Sequence, residues 1–326
     1  MKWRDWLKLG GLSLAVLGTG MVVKSFLPQR FAVPAVHVVE QETPDLTTMP
    51  SIEIAFLRCG SITVPELVAV RGALSLVPRT LAYSAVLVHH PRATFLYDTG
   101  LCASIKAMIK DQPFIFRNTL GGFTLEQPLA EHLRLLNLRP ADLDFVLLSH
   151  LHFDHVSGIP DLPEVPLRVN RIEYDAARQQ GLLEQGNGLI ARLMGDNPLK
   201  FFACEGPAYE GFRCSFDLFG DGSIVLVPLP GHTAGQVGMF INRANGSRLF
   251  LLGDAAWVAE NYLRPATMHP LMWSMVTSDD ATARQTLIEL HTFALRHPEI
   301  TLIAMHDARA QEAFMHQEQA QVMGMR

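Results

Sequence analysis

The run His150-Leu151-His152-Phe153-Asp154-His155 sets three imidazoles and one carboxylate side by side in the chain. Histidine nitrogens and aspartate oxygens suit zinc and other divalent first-row metals, and a run without cysteine leaves the choice among them open. So dense a pattern seldom arises by chance, although a polar surface loop is the bland alternative. The run follows Phe145-Val146-Leu147-Leu148-Ser149, a strand-like stretch, so its side chains would leave a strand end into a loop, where they can converge without helical spacing.

One such run does not complete the shells of two metals. Further ligands should then each stand behind a strand of their own. His232 stands in Leu229-Pro230-Gly231-His232-Thr233-Ala234-Gly235, Asp254 follows Leu251-Leu252-Gly253, and His306 follows Ile303-Ala304-Met305. Singly, each reads as a turn residue or an ordinary histidine; in order behind separate strands, they read as ligands. Asp98-Thr99-Gly100 reads equally as a plain turn or as hydrogen-bonding support for the histidines. His89, His90, His269, His291, His297 and His316 are read as ordinary residues, His291 as part of a helix.

Such ligands need strands to carry them. Strands are expected at Ile52 to Leu57, Ser84 to His89, Thr94 to Asp98, Phe145 to Ser149, Ile224 to Pro228, Val237 to Ile241, Arg248 to Leu252 and Thr301 to Ala304. Helical periodicity is clearest from Leu125 to Leu138 and from Ala281 to Arg296, the latter after Ser278, Asp279 and Asp280, which suit a helix start. Leu182 to Gly222 lacks clean periodicity and suits a long insertion or lid. The alternation gives an α/β class, without internal repeats.

With 48% hydrophobic and 18% charged residues the chain can bury a sizeable core, and a formal net charge of -5 offers no overall field for steering a polyanion. Nucleic acid is therefore not an expected partner. Cys59, Cys102, Cys204 and Cys214 form no CxxC pair and read as buried thiols; in an exported protein a Cys204–Cys214 disulfide becomes possible.

Lys2, Arg4 and Lys8 precede an uncharged run from Leu9 to Val23, the pattern of a secretory signal or membrane anchor. The run is short for a spanning helix of about 20 residues. Because Val33-Pro34-Ala35 is a poor cleavage site, far from the apolar run, an uncleaved anchor is favoured. The expected organisation is residues 1–30 as signal or anchor, 31–50 as linker and 51–326 as the folded domain, exported to the periplasm or held outside the cytoplasm by the anchor.

In order and spacing these motifs, with His90-Pro91, Phe95-Leu96-Tyr97-Asp98-Thr99-Gly100 and the closing His306-Asp307, resemble the metallo-β-lactamase superfamily, and within it the N-acyl-homoserine lactone lactonases that quench quorum sensing. The resemblance covers roughly Ile52 to Phe314. It implies an αββα sandwich and two divalent metal ions, zinc foremost. His150, His152 and His232 would bind one ion, Asp154, His155 and His306 the other, and Asp254 would bridge them. Two such ions activate a bridging water for attack on an acyl carbon, with Asp154 placed to pass a proton to the leaving group.

The substrate implied is a small lactone or ester, foremost an N-acyl-homoserine lactone. Thioesterase, β-lactamase or phosphodiesterase activity, or a tethered metal-binding protein without turnover, are the alternatives. A glyoxalase II type thioesterase would normally need an extra helical domain, and little chain follows His306. One departure stands out: the family typically places a substrate-binding tyrosine three positions after the bridging aspartate, where this chain has Trp257. Trp257 is read as a pocket wall, with Tyr262 as a substitute donor. Met108, Phe114, Ile115, Phe116 and Phe123 are expected to be core or to line an acyl cleft. Nothing in the sequence sets the oligomeric state.

Overall fold

Short segments rich in branched and aromatic residues pair into two sheets in a computed structural model that describes residues 26–29, 31–33 and 44–324. The first sheet contains β1 (Glu53–Pro65), β2 (Pro78–His90), β3 (Ala93–Tyr97), β4 (Thr124–Leu125), β5 (Phe145–Leu147), β6 (Leu167–Asn170) and β7 (Leu199–Phe202), in the order β4-β1-β2-β3-β5-β6-β7. The second contains β8 (Phe216–Asp217), β9 (Ile224–Pro228), β10 (Val237–Asn242), β11 (Arg248–Leu251) and β12 (Ile300–Ile303), in the order β12-β11-β10-β9-β8.

Period-two alternation divides each strand between two apolar layers. Val86, Val88, Phe95, Tyr97 and Leu147 of the first sheet share a core with Leu226, Met239, Ile241, Leu249 and Leu251 of the second. Their neighbours Ala85, Leu96 and Val146 face outward onto Leu129 and Leu133 of helix α1 (Leu129–Leu135). On the other side, Val225, Val227, Phe240 and Phe250 face helix α5 (Asp280–Arg296) through Leu287, Leu290 and Phe293. Strands buried on both faces read as unbroken apolar runs, which is why β9 and β10 were plain in the sequence. The result is the four-layered αββα sandwich.

Between α1 and α5 lie α2 (Phe153–Val156), α3 (Arg171–Gln179) and α4 (Gln185–Met194), and α6 (Ala308–Gly324) closes the described chain. Asp279 caps α5 by accepting from the Thr282 amide.

Several expectations need correction. The first two strands are much longer than expected, pairing from Glu53–His89 to Pro65–Pro78 across an irregularity between Arg58 and Gly60. Polar residues such as Arg58, Ser61 and Arg79 hid their ends. The helix expected from Leu125 starts only after Pro128, because Thr124 and Leu125 pair with β1. Leu182 to Gly222 is not one insertion: it supplies α4, β7 and β8. Strands β4, β6, β7 and β8 lie outside the expected set: β4 and β8 are two residues long, and β6 and β7 carry Arg168 and Lys200, which break the apolar run. All four cysteines are free, Cys204 and Cys214 included.

The charged and apolar start, Leu9 to Val23, lies outside the described residues, as do Pro34 and Ala35 of the possible cleavage site. Among the described residues no helix is long and apolar enough to cross a membrane.

The outer aromatic layer centres on Phe240, fully buried and stacked on Phe250 with ring centroids 3.8 Å apart. Phe240→Ala is expected to lower unfolding stability by about 3–5 kcal/mol, read from the urea midpoint at constant slope.

Candidate metal centre

Strands β3 and β5 are parallel. Because β9 and β11 are each antiparallel to β10, and β12 is parallel to β11, these three also run one way. Their C-terminal ends deliver every candidate ligand to one rim. Asp98 follows β3, His150 and His152 follow β5, Asp154 and His155 lie in α2, and His232, Asp254 and His306 follow β9, β11 and β12. Gly231, at φ 121°, is needed for the turn before His232, since a Cβ there would collide with the backbone of Ala283 at the start of α5.

Two clusters result. His150, His152 and His232 form one, and Asp154, His155, Asp254 and His306 the other; within each, one donor atom per residue lies within 4.8 Å of all the rest. Asp254 stands where they meet. Its Oδ1 lies 3.2 Å from His155 Nε2, and its Oδ2 lies 3.0 Å from His306 Nε2 and 3.5 Å from His232 Nε2. Asp154 Oδ2 lies 3.3 Å from His306 Nε2, and His152 Nδ1 lies 2.8 Å from His232 Nε2.

Support from behind aims these atoms. His155 Nδ1–H donates to Asp98 Oδ2 at 2.7 Å, His306 Nδ1–H to the Ala82 carbonyl at 2.7 Å, and His150 Nδ1–H to Ser149 Oγ at 3.0 Å. Each bond occupies Nδ1 and so turns Nε2 toward the cluster. Asp98, at φ 56°, also accepts from the Ser149 amide and hydroxyl, so it supports the histidines and is not a plain turn. His150 Nε2, His155 Nε2 and Asp254 Oδ1 are buried without a hydrogen-bond partner. Each such orphan costs about 1–3 kcal/mol, which a bound cation would offset, so the donor set fits a metal pair.

Electrostatics differ between the clusters. Burial holds His150 and His232 well below the ordinary histidine range, with neighbouring histidines adding to the effect. Burial opposes charge on His155 and His306 too, but Asp254 and Asp154 outweigh it and raise both, His155 strongly and with Asp98 contributing. Asp254 is penalised by burial yet held well below the carboxylate range by His306 and His155.

The clusters floor a cavity of about 320 Å³ walled by Phe116, Leu120, Leu189, Ile190, Trp257 and Met275. Among the described residues lining it, none is lysine or arginine. Within α4, Gly186, Asn187 and Gly188 all have positive φ, which kinks the segment where Gly186 lines the cavity, and Gln112 Nε2 donates to the Gly186 carbonyl at 2.6 Å.

Some expected residues lie elsewhere. Tyr262 is not available to a substrate: it is buried, its hydroxyl donates to the Leu302 carbonyl at 3.2 Å, and it does not line the cavity. The short helix Ala259–Leu263 turns it into the outer layer. Trp257 lines the cavity, but its indole N–H donates to Asp254 Oδ2 at 3.1 Å, so it holds the aspartate besides forming a wall. Of the apolar segment only Phe116 reaches the cavity; Phe114 and Ile115 are 73% and 65% exposed, Phe123 is core and Met108 packs against core. Sequence reasoning missed Glu173, whose position in the first turn of α3 reads as an ordinary helix acid. It also missed the Ala82 carbonyl, which no side-chain pattern can mark.

The raised His155 and His306 must give up protons to a cation, whereas His150 and His232 are neutral already. Uptake by the Asp154 cluster should therefore release protons and weaken as pH falls, while uptake by the three-histidine cluster should release fewer and change less. Calorimetric zinc titrations in buffers of different ionisation heat measure the released protons.

Residues 78–313 match the family described as the Metallo-beta-lactamase superfamily. The N-acyl homoserine lactonase AttM of Rhizobium radiobacter is 28% identical over 185 residues, 57% of this chain and 66% of its own length, so the match spans just under two thirds of that relative. A probable metallo-hydrolase of Mycobacterium tuberculosis is 26% identical over 272 residues, covering 79% of this chain and 81% of the relative. Among solved structures, an N-acyl homoserine lactone hydrolase with N-hexanoyl-L-homoserine at its catalytic metal centre superposes with a TM-score of 0.61 at 19% identity, over 82% of this chain and 97% of that one. The dizinc quorum-quenching lactonase AidC does so with a TM-score of 0.54 at 18% identity, over 79% and 88%. By its matched span, its layers and its clustered ligands, this chain belongs to the metallo-β-lactamase superfamily of metal-dependent hydrolases.

Proposed function

We propose that the chain is a dinuclear-metal hydrolase that opens N-acyl-homoserine lactones or closely related neutral esters. The observation that carries this is the pairing of two ligand clusters, joined at Asp254, with a largely apolar-walled cavity that no lysine or arginine lines among the described residues. His150, His152 and His232 would hold one cation and Asp154, His155 and His306 the other, with Asp254 between them. Bound there, two divalent ions, zinc foremost, supply an activated water and Lewis acidity toward an acyl carbonyl.

The chain's own residues do the rest. Phe116, Leu120, Leu189 and Ile190 bury an acyl chain and shed its water, which orients the ester over the clusters. Asp154, largely buried at the cavity floor, can take a proton and return it to the leaving alkoxide. Trp257 is already committed to Asp254, so it fixes the carboxylate and does not donate to the substrate carbonyl. Anionic substrates such as phosphodiesters, β-lactam carboxylates or glutathione thioesters would find no cationic side chain in this cavity. The AttM relatives named as N-acyl homoserine lactonases support the lactone in particular.

The test is zinc-loaded protein assayed by proton release on lactones of graded acyl length, thioesters, phosphodiesters and a β-lactam. Lactone opening that a chelator abolishes is expected; turnover confined to phosphodiesters would overturn the reading. Phe116→Ala should shift the preference among short and long acyl chains, and an unchanged profile would remove Phe116 from the acyl site. Trp257→Phe, which loses the indole donor, should lower kcat by about 10-fold or more, since hydrogen bonds to charged groups contribute about 1.5–3 kcal/mol. Tyr262→Phe should leave kcat and KM unchanged and cost only about 1 kcal/mol of stability.

A further inference from the structure

Glu173 is only 2% exposed, and no described lysine, arginine or histidine forms an ion pair with it. Both carboxylate oxygens are spent on backbone: Oε1 accepts from the Leu151 amide at 2.9 Å, and Oε2 accepts from the Gly235 amide at 3.0 Å. Leu151 separates His150 from His152 after β5 of the first sheet, and Gly235 follows His232 after β9 of the second. One carboxylate thus ties together the two loops that supply all three imidazoles of the first cluster. Asn170, which caps α3, adds a bond from its Nδ2 to the Gly235 carbonyl at 2.7 Å. Gly235 lacks the Cβ that would collide with the Glu173 backbone, and this lets the loop close onto α3. Among the described residues no hydrogen bond links Glu173 to the second cluster, where Asp98 holds His155, the Ala82 carbonyl holds His306 and Trp257 holds Asp254.

We infer that Glu173 is a positioning residue for the three-histidine cluster, a two-amide clamp that fixes the spacing of His150 and His152 against His232 and thereby sets the affinity of that cluster alone for its cation. Burying a carboxylate is costly unless its lone pairs are bonded, and here the two amides supply those bonds. A carboxyl held only for folding would stabilise loops without regard to which cation site they build. The inference rests on the metal-binding reading of the clusters, but not on any particular substrate.

The test uses the full chain and zinc in competition with a chromophoric chelator. His306→Ala leaves the three-histidine cluster intact, and His150→Ala leaves the other. Glu173→Gln keeps the side chain's shape but turns an amide donor toward one of the two backbone N–H groups. In the His306→Ala background it should weaken zinc binding about 10–100-fold, the range of other residues that support ligands from behind. In the His150→Ala background affinity should not change. Equal loss in both backgrounds, or unchanged affinity in both with a lower melting temperature, would overturn the inference and leave Glu173 structural. If Glu173→Gln does not fold, Glu173→Asp, whose shorter reach meets only one amide, should show the same selective loss. A failure of the His306→Ala protein itself to bind zinc would instead overturn the metal reading of that cluster.

Discussion

Buried charge has to be compensated, and in this protein the requirement concentrates on the Asp254 carboxylate. It is 3% exposed and lies within 3.5 Å of nitrogens from His155, His306, His232 and Trp257. Those partners come from the first sheet, the second sheet and the loops beyond both, so the carboxylate can be accommodated only where the two sheets end together. Its neighbours His150 and His155 keep unpaired nitrogens there, and folding tolerates such a cluster when a cation is the missing partner.

That constraint reaches outward through successive layers of hydrogen bonds. The imidazoles present the correct nitrogen because Asp98, Ser149 and the Ala82 carbonyl hold the other one. Asp98 in turn adopts a left-handed backbone conformation that few residues other than glycine, asparagine and aspartate accept readily. Three of the supports come from different parts of the fold: Asp98 after β3 behind His155, Glu173 in α3 across the Leu151 and Gly235 loops, and Trp257 on the cavity wall. A site assembled in this way is rigid where the chemistry takes place and apolar immediately above it.

The cavity adds selection to that chemistry. Its walls come from α4, from the Phe116 segment and from Met275 and Val276, elements distant in the chain that share only their proximity to the rim. On the function proposed above, walls without lysine or arginine among the described residues would exclude water from an acyl chain without offering it an ionic anchor, in keeping with a neutral ester. Trp257 contributes to the wall and holds Asp254 with the same ring, and an indole can do both because its single N–H points one way while its faces remain apolar.

The sequence by itself determined the ligand types, their order and the strands that carry them. His150, His152, Asp154 and His155 stand in one run, and His232, Asp254 and His306 follow apolar segments long enough to read. The strands themselves were legible for a related reason, since strands buried on both faces leave continuous apolar runs, whereas the αββα layering was implied only by the family resemblance. Only the tertiary structure decided what each polar group touches. Tyr262 and Trp257 look equally able to serve a substrate in the sequence, yet one hydroxyl is spent on Leu302 and one indole N–H on Asp254. Glu173 looks like any first-turn acid until two loops from different sheets close on it. Hydrogen bonds between residues far apart in the chain depend on which backbone amides fold brings within 3 Å, and local pattern carries no record of that distance.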